Sequence, residues 1–138
     1  MFPLLLILIS IIMSVEFKPT PKRNPQNITA EPLFYATAVS NHKTGIDELS
    51  GRVSDSSTVS RADTYAVIIS LLETIIKEFK AGNTVELGKL GRFSISLQSE
   101  GVPTPEELSS NHIKGAKINF RPGVELKEML ASLSYSKT

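Results

Sequence analysis

The chain has 138 residues and a mass of 15.1 kDa, with 41% hydrophobic and 21% charged residues, which is the size and composition of one small globular domain and excludes disordered, collagen-like and low-complexity classes. It has no cysteine, so disulfide scaffolds, CxxC redox chemistry and cysteine-ligated zinc are excluded. Its 15 Lys+Arg stand against 14 Asp+Glu, a formal net charge of +1, which argues against a nucleic-acid binder acting over the whole chain but not against a local basic surface.

The charge is unevenly placed. Residues 1–13 carry none, 14–43 are net +2, 44–82 net −2 and 83–138 net +1. Between Leu108 and Arg121 stand Lys114, Lys117 and Arg121 with no acid. An anion-binding surface is therefore expected there or near Lys18, Lys22 and Arg23.

In chain order, Phe2 to Met13 is an apolar run, shorter than the roughly 20 residues that span a bilayer as a helix. It lacks the basic start and small-residue cleavage site of a secretory signal. Residues 1–13 read either as an atypical leader or anchor, or as upstream translation with Met13 the working start. Val15–Lys18 alternates as a short strand. Pro19, Pro21 and Pro25 are expected to break regular structure there and leave a basic extended arm bearing Lys18, Lys22 and Arg23. Leu33–Val39 is β-prone and predicts a strand. Thr44 reads as the cap of a helix that runs to about Ser54.

Ser60-Arg61-Ala62-Asp63 is a capping box, and Gly82 is the matching stop. Between them Tyr65, Ile68, Ile69, Leu72, Ile75, Ile76 and Phe79 recur at helical spacing. That stripe is wide for so small a domain, so part of it is expected to face a second subunit. Thr84–Leu87 alternates as a strand, Gly88-Lys89-Leu90-Gly91 is a turn, and Phe93, Ile95 and Leu97 share one face of the next strand. Glu100–Ser110 reads as a polar loop or arm tip, Ile113–Phe120 as a returning strand and Val124–Leu130 as a short helix. Ser132–Thr138 is expected to be a fraying tail.

Catalytic signals are missing. His42 and His112 do not stand at metal-ligating spacing. Gly88–Gly91 lacks the phosphate-loop pattern, Glu106-Glu107 is not a placed acid and base, and there is no nucleophile elbow. The expectation is a protein that is not an enzyme, with no cofactor, metal or small-molecule substrate.

From Gly45 onward the order is helix, helix, strand, glycine turn, strand, arm, strand, helix. With Lys77–Leu87, Leu90-Gly91-Arg92-Phe93-Ser94-Ile95 and Ile118–Lys127 as anchors, this order resembles the HU/IHF family of histone-like DNA-binding proteins over about residues 44–131. Residues 14–43, with Asn24-Pro25-Gln26 and Phe34-Tyr35-Ala36, resemble the N-terminal extension of a longer HU-like branch. The resemblance implies an α+β fold of the IHF/HU type: a helical hairpin base, a three-stranded antiparallel sheet with a β-arm, a short C-terminal helix and extra N-terminal strand structure. It implies four segments: 1–13, a basic Pro-rich extension over 14–43, an HU-like domain over 44–131 and the tail 132–138.

It further implies low-specificity binding and bending or compaction of double-stranded DNA by a homodimer, or a heterodimer with a paralogue. The protein would be cytoplasmic and nucleoid-associated in a bacterium, and exported or membrane-anchored only if residues 1–13 are a genuine leader. The implied DNA contacts are Lys89, Arg92, Lys114, Lys117 and Arg121, with Lys22 and Arg23 from the arm. Pro103 or Pro105 is the candidate wedge between base steps. The departures lie in the arm, which lacks arginine after Arg92 and carries Glu106-Glu107 at its tip. An Arg-Asn-Pro instead stands at Arg23–Pro25. The acidic tip leaves a second reading open: an HU-fold module for assembly or protein interaction with little DNA affinity.

Overall fold

The computed structural model describes residues 13–138. The leader or upstream-translation reading of 1–13 falls, but for Met13, outside the described residues. The chain divides into two compact units, one of residues up to Thr44 together with Leu130–Thr138 and the other Gly45–Met129.

The first unit is a three-stranded sheet in which β1 (Ser14–Lys22) is flanked by β2 (Leu33–Ala38) and by β6 (Ser134–Lys137). β1 does not stop at its prolines. It runs antiparallel to β2 as far as Lys22 opposite Leu33, with Pro19 opposite Ala36 and Pro21 opposite Phe34. The carbonyl of Glu16 accepts from Val39 N at 2.8 Å on the β2 side, and that of Phe17 accepts from Thr138 N at 3.0 Å on the β6 side. By strand alternation Pro19 and Pro21 therefore turn their N-substituted side toward β6, which pairs only with Ser14–Phe17. The missing N–H groups face an open edge, where proline is tolerated in a sheet.

The expected tail is also corrected. Ser134–Lys137 pairs in parallel with Ser14–Phe17, and the Ser14 and Ser136 hydroxyls meet at 2.8 Å. A strand so short and polar has no local signal; it exists through a partner more than a hundred residues away.

The second unit begins with a helical hairpin, α1 (Ile46–Asp55) and α2 (Arg61–Lys80). Gly45, not Thr44, caps α1, with no side-chain cap bond; Asp47 and Glu48 in the first turn meet the helix dipole instead. α2 starts as expected, with the Ser60 hydroxyl accepting from Asp63 N at 3.1 Å. It ends in a Schellman turn, where Gly82 N donates to Phe79 O at 3.0 Å and Asn83 N to Glu78 O at 3.0 Å; Gly82 takes φ 82°. Small residues allow the two helices to approach closely. Ser50 and Thr64 are the buried polar residues, and each hydroxyl donates to its own helix four residues back, at 2.7 and 2.8 Å.

β3 (Val85–Glu86), β4 (Gly91–Ser99) and β5 (Ile113–Pro122) form an antiparallel sheet in the order β3-β4-β5, followed by α3 (Val124–Ala131). Two glycines join the turn after β3 to the end of β5. A Cβ on Gly91 (φ 142°) would lie 2.3 Å from Arg121 O, and one on Gly123 would lie 2.0 Å from Lys89 O. Gly123 N donates to Leu90 O at 3.1 Å. The glycine turn and the Pro-Gly return are thus the two sides of one backbone contact. No apolar side chain of the described residues is fully buried. The α+β architecture is that of the HU fold.

Candidate nucleic-acid interface

The site starts from alternation on β4 and β5. Phe93 lies opposite Phe120, Ile95 opposite Ile118 and Leu97 opposite Ala116, so one face of the hairpin is apolar. The rings of Phe93 and Phe120 are 4.7 Å apart between centroids, a contact of about 0.5–1.5 kcal/mol beyond area burial. That packing holds the register and consigns the intervening residues to the other face: Arg92 opposite Arg121, Ser94 opposite Asn119 and Ser96 opposite Lys117.

This second face is polar and mostly cationic. Thr84, Arg92, Ser94, Asn119 and Arg121 line a shallow groove of about 220 Å³. Two arginines face each other directly across strands, an arrangement that is destabilising unless anions compensate it. One does: Arg92 donates to Glu86 Oε1 at 3.1 Å, with both side chains more than half exposed. Among the described residues Arg121 and Lys117 have no ion-pair partner. Asn119 Nδ2 donates to Ser96 Oγ at 2.8 Å, which leaves the Asn119 carbonyl oxygen and the Ser94 hydroxyl available to a ligand.

The other expected contacts are not on this face. Lys89, in the glycine turn, pairs with Glu125 at 2.8 Å, beside an adjoining concavity of about 830 Å³ whose lining includes both of them with Arg92, Arg121, Lys127 and Glu128. Lys114 is the extra residue of a bulge, since Gln98 is opposite Gly115 and Ser99 opposite Ile113. Its ammonium meets Glu100 at 3.1 Å. Pro103 stands in a bend and Pro105 opens a short 3₁₀ turn, Pro105–Glu107. Lys22 and Arg23 belong to the first unit, with Lys22 Nζ 5.4 Å from the Tyr35 ring centroid.

So the structure brings Arg92, Lys117 and Arg121 onto one face of the hairpin, sets Lys89 with Arg92 and Arg121 around the larger concavity, and gives Lys22 and Arg23 to the other unit. Sequence reasoning missed Thr84, Ser94 and Asn119, and missed that Glu86 faces Arg92. Alternation counted from Phe93 and Phe120 would have found Ser94 and Asn119. Among the described residues no cluster of His, Asp and Glu could hold a metal ion, and no helix is long and apolar enough to cross a membrane.

Comparison with known proteins bears on the family and the fold. A family described as "HU domain fused to wHTH, Ig, or Glycine-rich motif" matches residues 13–137. Among solved structures, a Bacteroides vulgatus protein assigned as bacterial DNA-binding superposes with TM-score 0.59 at 14% identity, over 89% of this chain. The chain spans 48% of that protein's length. The HU chain of an Anabaena HU–DNA cocrystal superposes with TM-score 0.51 at 23% identity, over 64% of this chain and 99% of its own. At these identities the likeness is one of fold. No curated protein sequence matches the chain.

Proposed function

The chain belongs to the family of HU domains fused to wHTH, Ig, or Glycine-rich motifs, and from that premise we propose that it binds duplex DNA with little sequence preference through the polar face of the β4–β5 hairpin. The family is architectural and not enzymatic, so binding is the activity to be explained. The observation that carries the reading is the facing pair Arg92 and Arg121 with Lys117 beside them, three cations against the single carboxylate of Glu86. Such a face is completed by phosphate oxygens, which contribute affinity without reading sequence. The hydroxyl and amide groups of Thr84, Ser94 and Asn119 suit backbone contacts as well.

A dimer belongs to the same reading. α2 exposes Leu72 (53%), Ile76 (42%) and Tyr65 (40%) along its apolar stripe, and no apolar side chain of the described residues is buried in one copy. A surface of that kind marks an interface, and a second copy of the chain would supply the missing core. An HU-like dimer that bends or compacts the duplex places the protein on the nucleoid, in the cytoplasm.

The test is a salt titration of the full chain on a duplex of unrelated sequence. Binding should weaken steeply with salt, and Lys117→Gln/Arg121→Gln should make the slope of log K against log[salt] shallower by about 1.8, from about 0.9 per phosphate contact. Absence of binding at low salt refutes the reading. It would favour an assembly module instead, for which the specific support is the arm end: Glu106 and Glu107 stand exposed at the tip, and Lys114 is already taken by Glu100.

A further inference from the structure

The two units differ in charge. The HU-like unit, Gly45–Met129, has ten cations and twelve acids, net −2, whereas residues 13–44 with 130–138 have five cations and two acids, net +3. In the HU-like unit Arg52, Arg61, Lys89, Arg92 and Lys114 are all held in ion pairs. In the first unit Lys18, Lys22 and Arg23 have none among the described residues.

These cations are ordered by the sheet. Phe17 lies opposite Ala38, Pro19 opposite Ala36 and Pro21 opposite Phe34, so one face of the β1–β2 hairpin is apolar. Lys18, Thr20 and Lys22 project from the other, beside Thr37 and Tyr35. Lys18 and Lys22 stand four positions apart on β1, with Thr20 midway between them, a rise of roughly 13 Å between the two lysines. That is about four steps of the 3.4 Å rise per phosphate along one strand of a duplex, so the two lysines can meet different phosphates of one strand. The Tyr35 ring lies under the Lys22 ammonium at 5.4 Å, which holds that charge on this face. Arg23 follows at the start of a loop braced by the Asn24 side chain, which accepts from Gln26 N at 2.9 Å.

We propose that this face of the N-terminal sheet is a second phosphate-contacting surface for duplex DNA, formed by Lys18 and Lys22 with Arg23 in the loop that follows them. It rests on the DNA-binding reading above and adds to it a contact outside the HU-like unit. Charge complementarity selects the partner: Glu16 is the one carboxylate that shares the strand face, and the hydroxyls of Thr20, Thr37 and Tyr35 are phosphate donors.

The test uses the full chain and a labelled duplex. Lys18→Gln/Lys22→Gln/Arg23→Gln should make the salt slope shallower by about 2.7, at about 0.9 per contact. Lys18→Arg/Lys22→Arg, which keeps the charge, should leave the slope as it was. An unchanged slope in the glutamine variant, with a shallower one in Lys117→Gln/Arg121→Gln, overturns this inference and leaves the DNA reading standing. Failure of the unaltered chain to bind DNA overturns both. If the three cations prove to matter for binding vesicles containing phosphatidylserine but not for DNA, the surface is a membrane contact and the inference is again overturned.

Discussion

Gly91→Ala tests the backbone contact on which the cationic face depends. At φ 142° an alanine is strained, and its Cβ would lie 2.3 Å from Arg121 O and 2.7 Å from Phe120 Cε2. Residues in sparsely populated backbone regions cost about 1–3 kcal/mol. Overpacking adds about 1–3 kcal/mol, and here at the upper end, because one of the obstructing atoms is a carbonyl of the partner strand and cannot rotate away. The expected loss is about 4–6 kcal/mol, a large share of the 5–15 kcal/mol that holds a typical domain. Gly88→Ala is the control: it also has positive φ, 50°, but nothing lies within 4 Å of its Cβ, so it should cost about 1–2 kcal/mol for left-handed backbone alone. Urea unfolding followed by circular dichroism, at one protein concentration because assembly contributes to stability, measures both. Relief of the clash can come only by moving β4 from β5, so Gly91→Ala should also separate Arg92 from Arg121 and make the salt slope of DNA binding shallower. Equal losses in the two variants, or a loss below about 1 kcal/mol for Gly91→Ala, less than left-handed strain alone, would refute the reasoning.

Three further outcomes are expected. Ser60→Ala removes the acceptor of the Asp63 N–H and should cost about 1 kcal/mol, seen as a lower urea midpoint with unchanged DNA binding. Leu72→Glu places a charge in the middle of the exposed α2 stripe; sedimentation equilibrium should show dissociation to single chains at micromolar concentration, and an unchanged mass would place the interface elsewhere. Glu106→Gln/Glu107→Gln removes two charges from the arm tip; if the tip lies along DNA, affinity should rise severalfold at low salt and the gain should disappear at high salt, where exposed charges are screened.

The parts of this protein that were legible in its sequence are those whose causes are local. α2 runs from Arg61 to Lys80 because Ser60 can satisfy a first-turn N–H and Gly82 can adopt positive φ, and both signals lie within a few residues of the helix end. The faces of β4 followed from alternation alone. Thr44 was misread as a cap because Gly45 intervenes and no side-chain cap forms, a choice between neighbours that propensity cannot separate. The cations of the candidate site were legible as residue types but not as a group. Lys114, Lys117 and Arg121 read as one basic stretch, yet Lys114 stands out of alternation with the other two, at a bulge, and Glu100 binds it.

What the sequence determined by itself, then, was the succession of helices and strands and the alternation that separates apolar from polar faces, since each depends on residues two to four positions apart. Only the tertiary structure decided which chain segments became neighbours. It made a strand of Ser134–Lys137 by giving it Ser14–Phe17 as a partner. It allowed β1 through two prolines by leaving the edge they face open. It set Gly91 and Gly123 against backbone atoms of distant residues, and placed Arg121 opposite Arg92. Each of these depends on a hydrogen bond or a steric contact between residues far apart in the chain, and such contacts leave no periodic trace in the sequence that makes them.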